Sequence, residues 1–339
     1  MHAAITHWFE QRWYGQRAPG VVLRLLARLF AGVASARRRR YLAERFDHAA
    51  PWPARAGVPV IVVGNLAVGG VGKTPLVLAL VKALRARGWQ PGVISRGYGR
   101  HGHAVLRVNA GSSSTHVGDE PLLIARRSGV PVAVAARRIE AARLLVDSGE
   151  VDVLIADDGL QHYGLMRDIE ILVIDGQRRF GNGLMLPAGP LREPIERAAA
   201  CDFIVCNGGT PQAGELAMQL ELGEAVAVSG QGESRPLASF AQTPVHAVAG
   251  IGNPGRFFKA LRDRGVVLIE HAFADHHPFV AGDFDFADDA PVLMTEKDAV
   301  KCEAFAQPNW YAVPVEAELP QAFFEDLVKR LANFPRRSP

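Results

Sequence analysis

Short apolar runs alternate along the chain with stretches whose apolar residues recur at helical spacing. The runs are rich in valine and isoleucine, and they occupy positions 59–63, 93–95, 130–135, 151–156, 169–174 and 203–206. A strand that is buried on both faces of a parallel sheet has such a continuous apolar sequence. The pattern therefore predicts an α/β fold, in which a mostly parallel sheet is covered by helices on both faces and ligands bind at the carboxyl ends of the strands.

A glycine-rich segment lies between the first of these runs and a helical pattern at 75–87. Small residues let backbone N–H groups surround phosphate oxygens at a helix N-terminus, as they do in a P-loop. The residues expected to bind the nucleotide are Ala67, Val68, Gly69, Gly70, Val71, Gly72, Lys73 and Thr74. Lys73 would contact the β- and γ-phosphates, and Thr74 would bind Mg²⁺. Ala67 stands where the strict pattern has its first glycine, and the alternative is a glycine-rich turn with a surface lysine.

Two pairs of adjacent carboxylates stand at predicted element ends. Asp157 and Asp158 follow the run 151–156, where a P-loop protein has its Mg²⁺-binding carboxylate. The alternative is a turn or a helix cap, because Asp-Gly is common in turns. Asp119 and Glu120 begin another helical stretch, so Asp119 is either an ordinary N-cap or a general base beside a metal-binding Glu120.

The N-terminal segment 19–33 is almost wholly apolar but carries Arg24 and Arg28. It is too short to cross a bilayer, since a spanning helix needs about 20 apolar residues. Aromatic residues precede it at 8–14, and four arginines follow it at 37–40. These features favour a helix that lies in the interface of an anionic membrane. The alternative is an ordinary helix packed on the protein, with arginines that reach solvent.

The second half contains a further glycine motif. Residues 250–255 match G-x-G-x-x-G between an apolar run and a helical stretch, and Glu270 follows 20 residues after Gly250. This arrangement is typical of a dinucleotide-binding turn. Pro254 falls inside the motif and argues against that function, so a tight strand-to-helix turn is the other interpretation.

Composition narrows the class of protein. The chain has 339 residues, 48% of them hydrophobic and 22% charged, which excludes disordered, collagen-like and disulfide-scaffold proteins. The net charge of +3 gives no argument for nucleic acid. Three cysteines without metal-ligand spacing, and no recognisable signal peptide, favour a reducing cytosolic compartment. We predict a membrane-associated helical segment at 1–45, a nucleotide-binding domain at 46–210 and a smaller α/β domain at 211–339, with 208–214 as the linker.

The motifs, taken in order, resemble those of the tetraacyldisaccharide 4'-kinases of lipid A biosynthesis. They run from about residue 60 to residue 300 in that family's order. Besides the P-loop segment 63–75 they are SRGYGR (95–100), GDEP (118–121), DDGLQH (157–162), LPAGPLREP (186–194), AGIGNP (249–254), DHH (275–277) and TEKD (295–298). The resemblance implies transfer of the ATP γ-phosphate to the 4'-hydroxyl of a tetraacylated glucosamine disaccharide 1-phosphate, which gives lipid IVA.

The resemblance also implies the partners and the roles of individual residues. The enzyme would be monotopic, on the cytoplasmic face of a Gram-negative inner membrane, with ATP and Mg²⁺ as cofactors. The lipid precursor and the anionic membrane surface would be its partners, without nucleic acid or a stable protein partner. Asp119 would be the general base, assisted by His276, while Thr74, Glu120, Asp157 and Asp158 would surround the metal. Residues implied at the substrate or in closure of the site are Arg96, Gln161, His162, Arg192 and Glu193.

Two other classes remain open from the residues alone. A P-loop switch protein or metallochaperone would hydrolyse a nucleotide without a lipid acceptor. A pyridine-nucleotide enzyme would use the Gly250 loop.

Overall fold

The computed structural model describes residues 2–15, 17–44, 54–230 and 233–334. The predicted boundary between positions 45 and 46 lies outside them. The helices are α1 (His2–Trp13), α2 (Val21–Glu44), α3 (Lys73–Arg85), α4 (Ser114–Val117), α5 (Asp119–Ser128), α6 (Arg138–Val146), α7 (Pro254–Asp263), α8 (Glu296–Cys302) and α9 (Gln321–Leu331). The first strands are β1 (Val60–Gly64), β2 (Pro91–Ser95), β3 (Leu106–Val108), β4 (Val132–Val134), β5 (Val153–Asp157), β6 (Ile169–Asp175) and β7 (Phe203–Asn207). The later strands are β8 (Glu215–Leu222), β9 (Val226–Ala227), β10 (Val245–Ala249), β11 (Leu268–Ala272), β12 (Val292–Thr295), β13 (Trp310–Val313) and β14 (Val315–Glu318).

The larger sheet has the strand order β14-β8-β7-β6-β1-β5-β2-β4-β3. Its strands pair in parallel from β8 to β4, and only the edge strands β14 and β3 pair antiparallel. Strand β1 is buried along its whole length, as its apolar sequence predicts. Since parallel strands share a direction, the residues that follow β1, β5 and β7 reach the same edge of the sheet.

Helices cover both faces of this sheet. On one face, α3 packs through Leu76, Leu80 and Leu84, which are fully buried, and α9 adds Phe323 and Leu327. On the other face, α6 contributes a second apolar cluster. The predicted mostly parallel sheet with helices on both sides is confirmed.

A smaller sheet has the order β11-β10-β12-β13-β9. Its first four strands are parallel and β9 pairs antiparallel with β13. The chain enters this sheet after β8 and leaves it before β14, and these two strands pair with each other in the larger sheet. The predicted division near residue 210 therefore does not coincide with the change of sheet, which comes between Leu222 and Val226. The difference arises because β8 extends the larger sheet beyond the glycine-rich segment at 208–214.

Helix α2 extends beyond the apolar segment, through the arginines at 37–40 to Glu44. Arginine is a good helix former, and Arg40 and Glu44 pair one turn apart at 3.0 Å. Ala27 and Tyr41 are buried against the protein. Eight large apolar side chains of α2 have exposed fractions of 39–74%, namely Val21, Val22, Leu25, Leu26, Leu29, Phe30, Val33 and Leu42. Within the described ranges, no helix combines the length and the apolar character needed to cross a bilayer.

The packing of α3 gives a stability prediction. We expect Leu80→Ala to lower the free energy of unfolding by about 2–5 kcal/mol, because it leaves a cavity beneath the helix that follows the glycine-rich loop. Leu144→Ala is the matched control, since Leu144 lies on α6 and is 39% exposed. Urea unfolding followed by circular dichroism measures both. Equal midpoints for the two variants would contradict the assigned core.

Candidate active site

The glycine-rich loop joins β1 to α3 at the carboxyl edge of the larger sheet. Gly72 immediately precedes α3 and has φ of +89°, a left-handed conformation that favours glycine. A Cβ atom at this position would lie 2.3 Å from Nδ2 of Asn207, at the end of β7. Glycine is therefore required at position 72 by backbone conformation and by space.

Polar groups of the surrounding protein hold this loop. Asn65 donates from Nδ2 to the carbonyl oxygen of Ala67 at 2.5 Å, and Asn207 donates to that of Val71 at 2.8 Å. The N–H group of Val68 donates to the carbonyl oxygen of Pro190 at 2.9 Å. The loop is thus fixed by contacts on its protein side, at the N-terminus of a helix, which is a favourable place for an anion.

Two cations meet the carboxylate of Asp158. Arg192 donates to both oxygens of Asp158, at 3.0 and 3.1 Å, and Nζ of Lys73 lies 3.5 Å from Oδ1. Lys73 also donates to Oδ1 of Asn65 at 3.1 Å. Burial raises the pKa of Asp158, but Lys73 and Arg192 outweigh burial and hold that pKa well below its usual range. Asp158 is therefore ionised at neutral pH and orders both cations.

Asp157 differs from Asp158 in both its hydrogen bonding and its pKa. Its side chain is 1% exposed, and among the described residues neither carboxylate oxygen has a hydrogen-bond partner. Burial first, and then the charge of Glu120, raise its pKa well above the usual value. A buried carboxylate without donors is unfavourable unless it is protonated or binds a cation. The adjacent aspartates thus differ: the carboxylate of Asp158 is paired with two cations, whereas that of Asp157 has no hydrogen-bond partner among the described residues.

Near Asp157, a carboxylate and a histidine from distant parts of the chain form a hydrogen bond. Asp119 begins α5 and is 6% exposed, and its Oδ2 lies 3.1 Å from Nδ1 of His276, in the segment after β11. The backbone of His276 has φ of +59°, an uncommon conformation outside glycine. Burial raises the pKa of Asp119, but the hydrogen bond from His276 and the charge of Lys297 outweigh it, so that pKa is lowered. Burial lowers the pKa of His276, yet its hydrogen bond to Asp119 raises it overall.

Lys297, in the first turn of α8, fixes the proton on this histidine. Its ammonium group lies 3.2 Å from Nε2 of His276 and 2.9 Å from Oε1 of Glu120. An ammonium group only donates, so in the neutral ring Nε2 accepts from Lys297 and Nδ1–H donates to Asp119. In the protonated ring Nδ1–H also donates to Asp119. Asp119 therefore receives a hydrogen bond from His276 in either state.

The family model of LpxK, described as tetraacyldisaccharide-1-P 4'-kinase, matches residues 20–332. The chain belongs to this family.

Individual relatives agree with the family model. The tetraacyldisaccharide 4'-kinase of Stenotrophomonas maltophilia is 52% identical over 330 residues, which cover 94% of this chain and 95% of the relative. That of Methylobacillus flagellatus is 48% identical and covers 98% of both chains. Among solved structures, the "apo" form of LpxK from Aquifex aeolicus in complex with ATP aligns with a TM-score of 0.71 at 28% identity, over 91% of this chain and 96% of the other. The resemblance stated from the ordered motifs, and the kinase class that it implies, are confirmed.

The remaining predicted residues lie in two places: Gln161 and Glu193 beside Asn65, and His162 and Arg96 near Arg138. Gln161 donates from Nε2 to the carbonyl oxygen of Asn65 at 3.1 Å and to Glu193 at 3.2 Å. Nε2 of His162 accepts the backbone N–H of Arg138 at 3.3 Å. Burial, and then the charge of Arg138, lower the pKa of His162 to about 4, so this ring is neutral at physiological pH. The exposed Arg96 adds to the positive potential at both residues.

The Gly250 segment forms the predicted turn between β10 and α7 and lies against the phosphate loop. The N–H group of Gly250 donates to Asp298 at 2.9 Å. A Cβ atom at Gly252 would lie 2.6 Å from the backbone nitrogen of Gly70. The close approach of two backbones explains a glycine at 252 without a dinucleotide.

Asn65, Asn207 and Lys297 have no assigned role in the sequence analysis, yet all three make central contacts. Asn65 and Asn207 lie at the carboxyl ends of β1 and β7, and the rule that ligand contacts gather at strand ends could have selected them. Lys297 could be singled out only by its position in the TEKD segment. Its partners Glu120 and His276 come from distant parts of the chain.

The geometry at Gly72 gives a second prediction. We expect Gly72→Ala to weaken ATP binding by about tenfold or more, because a left-handed non-glycine residue costs about 1–3 kcal/mol before its contact with Asn207 is counted. Gly70→Ala is the comparison, since a Cβ there meets only atoms 3.8 Å away or farther. Titration calorimetry with ATP measures both affinities. An unchanged affinity in Gly72→Ala would mean that the loop is not the phosphate site.

Proposed function

We propose that this protein transfers the γ-phosphate of ATP to the 4'-hydroxyl of a tetraacylated glucosamine disaccharide 1-phosphate, with lipid IVA as product. The observation that carries the proposal is the meeting of two groups of residues at one edge of the fold. One group is the phosphate loop with Lys73, and the other is the hydrogen-bonded pair Asp119 and His276. The names of its relatives, and the ATP in the Aquifex aeolicus structure, support the same assignment.

Lys73 and the loop 67–74 bind the phosphates of ATP in this proposal. At rest, Lys73 contacts Asn65 and Asp158, so its ammonium group is already held at the N-terminal end of α3. Positive charge placed there stabilises the negative charge that gathers on the phosphate oxygens during transfer. Arg192 and Lys73 both pair with Asp158. Because Arg192 helps to keep this carboxylate ionised, Lys73 has a charged partner.

Asp119 is the residue proposed to take the proton of the sugar hydroxyl. A hydroxyl group is a weak nucleophile at neutral pH, so a carboxylate that accepts its proton during transfer accelerates the reaction. The lowered pKa of Asp119 means that the carboxylate is ionised before the acceptor binds. His276 orients Asp119 through Nδ1, and Lys297 orients His276 through Nε2.

The residues fit a divalent metal. Asp157 offers two carboxylate oxygens that receive no hydrogen bond from any described residue, and Glu120 is close enough to raise the pKa of Asp157. Among the described residues no three His, Cys, Asp or Glu side chains converge into a complete metal cluster. Mg²⁺ suits this arrangement, because it uses one or two carboxylates and takes its other ligands from phosphates and water. We propose that Asp157, Glu120 and the hydroxyl group of Thr74 hold Mg²⁺, which would neutralise charge on the transferring phosphate.

A basic cluster lies beyond Asp157 and suits the phosphate group of the acceptor. It comprises Arg96, Arg100, Arg138 and His162. Within the described part of the chain, Nε of Arg138 and both terminal nitrogens of Arg100 are buried without hydrogen-bond partners. Guanidinium donors left in this state fit the oxygens of a phosphate monoester. We propose that these residues orient the disaccharide through its 1-phosphate.

The N-terminal helices are proposed to place the enzyme on the membrane. The apolar residues of α2 are exposed, and a cavity of about 640 Å³ opens between α1, α2 and the segment 182–188. Arg12, Arg17, Arg24 and Arg28 line this cavity together with apolar side chains. A surface of this composition binds the interface of an anionic bilayer. We propose a peripheral position on the cytoplasmic face of the inner membrane, where ATP and the acceptor meet.

Incubation with γ-labelled ATP and the purified disaccharide 1-phosphate in detergent micelles tests the function. We expect label in the lipid, and none with Lys73→Ala. Release of labelled phosphate without labelled lipid would favour the alternative, a nucleotide-hydrolysing switch protein.

A third prediction concerns the acid limb of the pH profile. His276→Gly removes a hydrogen bond that helps to lower the pKa of Asp119, while burial, which raises this pKa, and the charge of Lys297, which lowers it, remain. The acid limb of kcat/KM should therefore move to higher pH, while Asp119→Asn should lose most of its turnover at every pH. Glycine accepts the left-handed backbone at position 276, so the substitution adds no strain. Steady-state rates from pH 5 to 9 provide the measurement, and an unmoved acid limb would reassign the base.

A fourth prediction concerns the membrane. Leu25→Glu combined with Leu29→Glu should release the protein from anionic vesicles, since each change removes about 1.5–3 kcal/mol of apolar burial. The matched control is Leu144→Glu combined with Ile269→Glu, two side chains that are each 39% exposed and lie on α6 and β11. Vesicle sedimentation compares the two double variants. Continued sedimentation of the Leu25 and Leu29 variant would assign α2 to ordinary packing.

A further inference from the structure

Arg178 contacts three separate parts of the molecule. It follows β6, and its guanidinium group donates to the carbonyl oxygen of Gly252 at 3.3 Å. On its other side it pairs with Glu10 of α1 at 3.6 Å and lies over the ring of Tyr14 at 5.1 Å. The larger sheet, the smaller sheet and the N-terminal helix therefore meet at a single side chain.

The backbone around Arg178 is held in place. Oδ1 of Asp175 accepts the N–H groups of Gln177 and Arg178, at 2.9 and 3.0 Å. The same carboxylate lies 3.5 Å from Arg256 of α7. These bonds fix the backbone at Arg178, so its side chain extends toward Gly252 from a fixed position.

Gly252 in turn lies against the phosphate loop. The distance of 2.6 Å between a Cβ built at Gly252 and the nitrogen of Gly70 shows that the two backbones are in direct contact. The segment 250–252 is fixed at one end by the bond from Gly250 to Asp298 and at the other by Arg178. Loss of the Arg178 bond would free the end that touches Gly70.

The end of α1 is anchored on the opposite side of the same region. Asn182 donates its backbone N–H to the carbonyl oxygen of Trp13 at 2.8 Å and its Nδ2 to that of Arg12 at 3.0 Å. Trp13 donates from Nε1 to the carbonyl oxygen of Pro187 at 3.1 Å. Glu10 and Tyr14 are therefore presented to Arg178 by a helix whose end is fixed.

We propose that Arg178 is a positioning residue for nucleotide binding: held by Glu10 of α1 and by Tyr14, which follows that helix, it keeps the Gly252 segment against Gly70 of the phosphate loop. This inference rests on the proposed function for its nucleotide. It predicts that a substitution of Glu10 in α1 changes the affinity for ATP, although the ion pair of Glu10 is with Arg178 and not with the phosphate loop. The helix that precedes the apolar face of α2 is thereby joined to the phosphate site.

The test compares ATP affinity, by titration calorimetry, in the full chain and in variants. Arg178→Met should weaken ATP binding by about tenfold, the effect of losing one charged hydrogen bond. Arg178→Lys should recover part of the loss, because it keeps the charge and a donor. Glu10→Gln should weaken binding less than Arg178→Met does. Arg262→Met is the matched control, since Arg262 on α7 forms an exposed ion pair with Glu270.

A double variant distinguishes a positioning role of Arg178 from a general loss of structure. The double variant Arg178→Met with Glu10→Gln should bind ATP no more weakly than Arg178→Met alone, because Glu10 acts through Arg178. In lipid phosphorylation assays the KM for ATP should rise while the KM for the acceptor and kcat stay close to their original values.

Wild-type ATP affinity in Arg178→Met, or multiplied effects in the double variant, would overturn the proposal. If Arg178→Met does not fold, wild-type affinity in Glu10→Gln overturns it instead. Weakened ATP binding in a protein that never labels the lipid would leave this inference standing and refute the proposed acceptor.

Discussion

The balance of buried charge at the carboxyl edge of the larger sheet is the constraint on which the site depends. Asp157 is buried and the adjacent Asp158 is partly exposed, and two carboxylates this close repel each other unless cations compensate them. Lys73 and Arg192 compensate Asp158. Among the described residues, neither carboxylate oxygen of Asp157 has a hydrogen-bond partner. The charge of one aspartate is thus compensated within the fold, whereas that of the other is not.

Neutral side chains complete this arrangement by fixing the backbone. Asn65 and Asn207 donate to carbonyl oxygens of the loop and add no net charge at the proposed phosphate site. Asn65 also accepts from Lys73, so one amide supports both the loop and its cation. An aspartate at either position would accept but not donate, and would add a negative charge beside the phosphates.

The sequence predicted those parts of the site that are local. The loop 67–74, the strand before it and the helix after it follow from apolar runs, small residues and a lysine at fixed spacing. The pairing of Asp119 with His276 could be stated only through the family resemblance, because 157 positions separate the two residues. The contacts of Lys297 and of Gly252 depend on how the two sheets pack, which no local pattern encodes. The division near 210 differs from the sheet boundary for the same reason, since β14 joins β8 from the far end of the chain.

The paired strands β8 and β14 have a consequence for the relation between the two sheets. The smaller sheet is an insertion whose two connections lie side by side: the N–H group of Gly223 donates to the carbonyl oxygen of Pro314 at 2.9 Å. Because the two connections are adjacent, they restrict twisting and sliding of the smaller sheet more than rotation about the line that passes through them. Asp119 stands on one side of that line and His276 on the other. The hydrogen-bonded pair Asp119 and His276 therefore spans the boundary between the larger sheet and the insertion, and its geometry depends on how these two parts are oriented.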